Sequence, residues 1–180
     1  YDVNSSSEEN MLAINGMSNY KRDTENENSA VIVTISPNDF GDNVMSGVEF
    51  QRNLEKKAYS LCNGKIPVQL YGDFKANQIS TKFGTIKPIF KGNYEFGNIR
   101  TIFPNYINDA LIDGIEAFSK KIKNCNCDDA IIAGVESRTS SPIRIQRDEF
   151  GESNIKGIYP IGEGAGYAGG ITSAAIDGII

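Results

Sequence analysis

Gly157-Ile158-Tyr159-Pro160-Ile161-Gly162-Glu163-Gly164-Ala165-Gly166-Tyr167-Ala168-Gly169-Gly170 is the stretch on which the fold of this chain turns. Gly164, Gly166 and Gly169 satisfy G-x-G-x-x-G between an expected strand at 157–161 and an expected helix from about Gly170. Taken alone, the spacing is that of a Rossmann fingerprint. Such a βαβ unit needs about 30 residues and an acid about 20 positions further on, whereas only 11 residues follow Gly169. The motif is therefore not a complete Rossmann unit. Its physics still favours a ligand, because glycine lets a backbone pass close to a bound group. A helix start offers unpaired N–H groups and partial positive charge. Glu163, just past the strand end, is placed to accept hydrogen bonds from sugar or ribityl hydroxyls. The competing reading is a turn whose glycines only permit tight packing. Five glycines within the nine residues 162–170 weigh toward ligand contact.

Working outward, 180 residues suffice for one good core, or for one domain and part of another. A net charge of −5, with Lys and Arg scattered among acids, argues against nucleic acid, which needs a clustered basic surface. No apolar run approaches the roughly 20 residues of a membrane helix. The polar first ten residues are no signal peptide. Cys62, Cys125 and Cys127 are an odd set that suits a reducing cytoplasm. Cys125-Asn126-Cys127 lacks the usual two-residue spacer, so neither a metal nor a redox role is expected. The absence of histidine removes Ser-His-Asp and Cys-His catalysis within the chain and favours a bound cofactor as the source of chemistry. A start at Tyr1 without Met, and a close at Ile180 inside an apolar run, are what an excised segment would show.

Residues 1–28 suggest a hairpin turning at Asn15-Gly16. Residues 29–36, centred on Ala30-Val31-Ile32-Val33, read as a buried β-branched strand stopped by Pro37. Val48, Phe50, Leu54, Ala58 and Leu61 predict a helix over 48–62, closed by Asn63-Gly64. Residues 65–91 read as short strands and loops. Ile107, Leu111, Ile115 and Phe118 predict a helix over 104–123. Residues 130–135 form an apolar strand, and 143–145 a short extended piece. A composition change near 124–129 separates an expected domain 1–125 from a second, 126–180. The fold class expected is α+β, becoming α/β at the C-terminal end.

Several separated blocks carry a resemblance. Gly134-Val135-Glu136-Ser137-Arg138-Thr139-Ser140-Ser141-Pro142-Ile143-Arg144 and the glycine stretch are similar to the C-terminal region of a bacterial family of uncharacterised FAD-dependent dehydrogenases. Asn15-Gly16-Met17-Ser18, Arg22-Asp23, Asn28-Ser29-Ala30 and Gly47-Val48-Glu49-Phe50-Gln51-Arg52 resemble its middle region. The resemblance implies a mixed-sheet substrate or cap domain over 1–125. It also implies that 126–180 returns to a Rossmann-like FAD-binding fold as its last strand, turn and helix.

On that resemblance Gly162, Glu163, Gly164, Ala165, Gly166, Tyr167, Gly169, Gly170 and Ile171 become candidate FAD contacts. Glu163 stands where such proteins usually carry Asp, which adds one methylene of reach. The implied partners are an N-terminal Rossmann half of the same polypeptide and a small-molecule substrate, with FAD bound by the full-length protein. Arg138 and Arg144, and more weakly Arg22, are candidates to face an anionic substrate or the flavin, since Arg presents a planar fork to carboxylates and phosphates. Pairing of Arg138 and Arg144 with Glu136 and Asp148 is the alternative. A flavin-free docking module is the rival functional class. A self-sufficient nucleotide binder is a third, and the absence of a lysine after the glycines argues against ATP.

Overall fold

The structure is a computed structural model that describes residues 2–4 and 8–179. Its elements run β1 (Asp2–Asn4), β2 (Ile14–Gly16), α1 (Pro37–Phe40), α2 (Ser46–Leu61), β3 (Ile66–Leu70), α3 (Tyr71–Ala76), β4 (Phe90–Lys91), β5 (Tyr94–Phe96), α4 (Asn105–Ser119), β6 (Ile131–Ala133) and α5 (Ile171–Asp177). This is an α+β chain. It divides into two compact units, Tyr1–Ile35 with Arg52–Ser137, and Ser36–Gln51 with Arg138–Ile180.

The first unit is organised by β3, the middle strand of the order β5-β3-β6. Four of its five residues are buried, which is what a short run of apolar and β-branched residues achieves when both neighbours are strands. Pro67 is tolerated in this central strand for a geometric reason. Ile66 N–H bonds Asn93 O and Gly97 N–H bonds Val68 O, so Ile66 and Val68 turn their polar groups to β5. Pro67, between them, faces β6, where pairing begins only at Val68↔Ala133. No ladder bond is lost there, and the Pro67 carbonyl accepts the Gly134 N–H instead.

Helix α2 buries Leu54, Ala58 and the following Cys62, one turn apart, as the 3.6 period requires. Each large side chain so buried contributes on the order of 1.5–3 kcal/mol. Asn63, left-handed at φ 50°, stops the helix, and Gly64 N–H closes on Tyr59 O. Helix α4 ends at Ser119, four residues earlier than its spacing predicts, and Phe118 is half-exposed.

Helix α3 was not expected inside 65–91. It forms because Tyr71 and Phe74, three apart, are both buried on one face. The Tyr71 hydroxyl donates to Glu116 of α4 at 2.8 Å. Buried Gln69 fastens three segments, donating to Gln78 O at 2.6 Å and accepting the Ile99 N–H at 2.9 Å.

Three expectations need correction. Asn15-Gly16 does not form a turn; it lies in β2, where Asn15 pairs with Val3 in antiparallel register. Residues 29–36 form no ladder, and Ile32 is 65% exposed. Residues 157–161 are likewise unpaired, so the last strand of a Rossmann-like sheet is not observed. Of the strand expected at 130–135, the three residues of β6 are paired.

The second unit is sparsely packed. Gly47, at the start of α2, sits against Phe40 and Pro142, and Gln51 reaches Ser140 O at 3.5 Å. Among its described residues the buried apolar side chains are Pro160 and Ala165. Phe150, Ile158, Tyr159, Ile161 and Ile176 remain exposed, and Ile171 is 95% exposed.

Candidate functional site

The glycine turn of the second unit is held by an ion pair that the sequence did not reveal. Arg147 closes a fork on Asp177, Nη2 to Oδ1 at 2.6 Å and Nη1 to Oδ2 at 3.0 Å, and Nη1 also donates to Pro160 O at 2.8 Å. Asp177 Oδ2 accepts the Gly162 N–H at 2.7 Å. One carboxylate at the end of α5 therefore joins the turn to the helix that follows it, in the bidentate geometry that gives the strongest ion pairs. Both side chains are mostly buried, at 20% and 16% exposure. The Arg147 hydrogen bonds first, and then the Gly162 N–H, pull the Asp177 carboxyl down to about 2. The available sequence signal was Asp177 itself, the single charge in the apolar run 171–180.

Tyr167 forms the other half of the support. Its ring centroid lies 3.7 Å from the Arg147 guanidinium carbon and 4.2 Å from that of Arg144, within cation–π range. Its hydroxyl donates to Ile145 O at 2.9 Å, and its backbone N–H to Gly162 O at 3.1 Å. The tyrosine spans the turn and orients Arg144, whose own position is exposed.

The glycines do not all serve the same end. Gly166 has φ 83°, and a Cβ there would lie 2.5 Å from Ile143 O and 3.0 Å from Arg144 Cα. It is required by packing. Gly162, at φ 70°, is buried with Ala174 beside it. At Gly164 and Gly169 a Cβ would meet nothing within 4 Å. These two leave free space over exposed backbone, as a closely approaching ligand requires. Glu163, Gly170 and Ile171 are exposed alongside them in sequence, and Ala165 is buried. The Gly170 N–H is taken by Ser173 Oγ at 3.1 Å. The residues at hand thus fit a cofactor lying on backbone at Gly164 and Gly169, with the Glu163 carboxylate able to accept its hydroxyls.

Arg138 is exposed at the start of the second unit's long segment. Arg22 belongs to the first unit, in a turn closed by its N–H on Asn19 O. The structure brings Arg144 together with the glycine turn through Tyr167.

In the first unit a cleft of about 350 Å³ is lined by Leu70, Gly72, Asp73, Asp128 and Asp129. Its acids already have work within the fold. Asp73 accepts from Ser80 Oγ at 2.6 Å, Asp128 pairs with Lys75 at 3.2 Å, and Asp129 accepts from Thr85 Oγ1 at 2.6 Å. Among the described residues no group of three metal-capable side chains converges.

The fold places this chain among mixed α+β proteins, with a second unit that ends in a supported glycine turn. Sequence comparison narrows the class. Residues 1–139 match the family model described as FAD-dependent protein, C-terminal domain-like, and the chain belongs to that family. An uncharacterized protein of Clostridium beijerinckii is 50% identical over 181 aligned positions. The alignment covers 98% of this chain and 34% of that protein, so the chain spans about a third of its relative's length. The family match ends within two residues of the boundary between the compact units at Ser137.

Proposed function

We propose that this chain is the C-terminal part of an FAD-dependent oxidoreductase, a dehydrogenase, and that it contributes a substrate domain and the second set of FAD contacts. The family supports the cofactor. The observation that carries the site is the division among the glycines: Gly162 and Gly166 build the turn, while Gly164 and Gly169 leave free space beside it. The exposed isoleucines of the second unit support an apolar partner, here the N-terminal Rossmann half of the same polypeptide. FAD, when bound, supplies the redox chemistry.

The protein's own residues bind and orient. Glu163 would accept hydrogen bonds from cofactor hydroxyls, and the exposed backbone at Gly164 and Gly169 would give the cofactor its close approach. Helix α5 has seven residues, so it offers a few unpaired N–H groups rather than a long dipole. Arg144, with its plane near the Tyr167 ring, is the best placed of the three arginines to hold an anionic small-molecule substrate; Arg138 is second and Arg22 third.

The test is a flavin absorbance spectrum of the 180-residue chain beside that of the full-length protein. A yellow full-length protein and a colourless chain is the expected pair of results. If neither carries or takes up FAD, the oxidoreductase reading fails, and a flavin-free docking module becomes the better account.

A further inference from the structure

Residues 29–35 carry a strand's sequence without a strand's partners. Among the described residues, no N–H or C=O of Ser29-Ala30-Val31-Ile32-Val33-Thr34-Ile35 makes a hydrogen bond within the chain. Hydrogen bonds lie on either side of the segment. Asn28 Nδ2 donates to Met17 O at 2.9 Å, and Ser36 N–H to Asp39 Oδ2 at 2.8 Å. Over its second half exposure alternates as in a β-strand: Val33 and Ile35 are half-buried and Ile32 and Thr34 exposed, while Ser29, Ala30 and Val31 are all exposed.

A β-branched run whose backbone groups have no partner is a template for another strand. Left in water it is also an aggregation hazard. The covering strand must come from somewhere, and the relative's length says where: a 50% identical protein carries about twice as much additional chain as the part aligned here.

We infer that residues 30–35 are a docking strand, paired edge to edge with a β-strand from the part of the full-length polypeptide that lies outside these 180 residues. Backbone hydrogen bonds give the attachment, and Ile32 with its alternate neighbours gives the register, as in strand-addition complexes. The inference shares with the functional proposal that this chain is part of a longer polypeptide, and it needs no flavin.

Amide hydrogen exchange at single-residue resolution tests it, in the full-length protein and in the 180-residue chain. Pairing along one edge slows alternate amides of 31–35 by roughly 100-fold or more in the full-length protein, and pairing along both edges slows all of them. The same amides exchange freely in the shorter chain. Fast exchange in the full-length protein overturns the inference. So does concentration-dependent protection in the shorter chain, because the partner would then be a second copy. A Thr34→Pro variant adds an independent readout: it lowers the melting temperature of the full-length protein and leaves that of the shorter chain unchanged, since Thr34 is exposed and its N–H has no partner there. An equal loss in both proteins overturns the inference as well. Flavin content read on the same samples separates the two proposals. A colourless protein with a protected strand sinks the oxidoreductase reading alone, and a yellow one with a free strand sinks this inference alone.

Discussion

A single methyl group, added at either of two neighbouring glycines, separates packing from ligand contact in the turn at 162–170. Gly166→Ala forces a side chain into a left-handed backbone at φ 83° and drives its Cβ to 2.5 Å from Ile143 O, a backbone atom that cannot swing aside. Strain of that kind costs about 1–3 kcal/mol and overpacking about the same, so a loss of roughly 2–6 kcal/mol is expected. For a chain of this size each kcal/mol moves the melting temperature by roughly 2–4 °C, which gives a drop of roughly 4–24 °C. Gly164→Ala meets no atom within 4 Å and carries no left-handed φ, so its stability stays within about 0.5 kcal/mol of the parent. Thermal unfolding followed by circular dichroism reads the first effect. Flavin absorbance per mole of full-length protein reads the second, with Gly164→Ala losing flavin while keeping its fold. Equal melting temperatures for the two variants, or an unperturbed Gly166→Ala, would refute the division of roles.

The Arg147–Asp177 fork gives a pH dependence of definite sign. Asp177 titrates lower when folded than its ordinary value near 4, so its stabilisation is complete above about pH 4 and is lost as the pH falls toward 2. An acid titration should show this loss, and Asp177→Asn should remove that part of the profile. Gln69→Ala strands the buried Ile99 N–H and should cost about 1–3 kcal/mol in urea unfolding, with a smaller change contradicting the role given to Gln69. Burial, with help from the Glu95 charge, pushes the Cys62 thiol up to about 11. A thiol reagent near neutral pH should therefore label Cys125 and Cys127 first and reach Cys62 only on unfolding; early labelling of Cys62 would show that the α2 packing opens readily.

Periodicity made α2 and α4 legible, because a helix carries its pattern within itself. The runs 29–36 and 157–161 look like strands by composition and position, but neither pairs in this chain, since a strand is completed by a neighbour that the local sequence does not contain. Asn15-Gly16 failed for the complementary reason: pairing with β1 outweighed its preference for a turn. Helix α3 was hidden because Tyr71-Gly72-Asp73-Phe74-Lys75-Ala76 is too short for a period, and tertiary burial of two aromatic rings decides it. In the glycine turn the motif was visible, but spacing could not tell which glycines were enclosed. Arg147 had no local mark at all, since its partner lies 30 residues away.

The second unit is discontinuous, built from residues 36–51 and 138–180. On a ribosome moving at roughly 5–20 residues per second, the first piece emerges several seconds before the second, with roughly 90 residues of the other unit made in between. Gly47 must wait for Pro142, and Gln51 for Ser140, while Phe40 and Phe50 lie open to whatever is nearby. The order of synthesis thus lets the unit around β3 close before the second piece of the other unit exists. A nonsense mutation after Ser137 would accordingly leave the sheet β5-β3-β6 with all its strands and strand residues 36–51 for good.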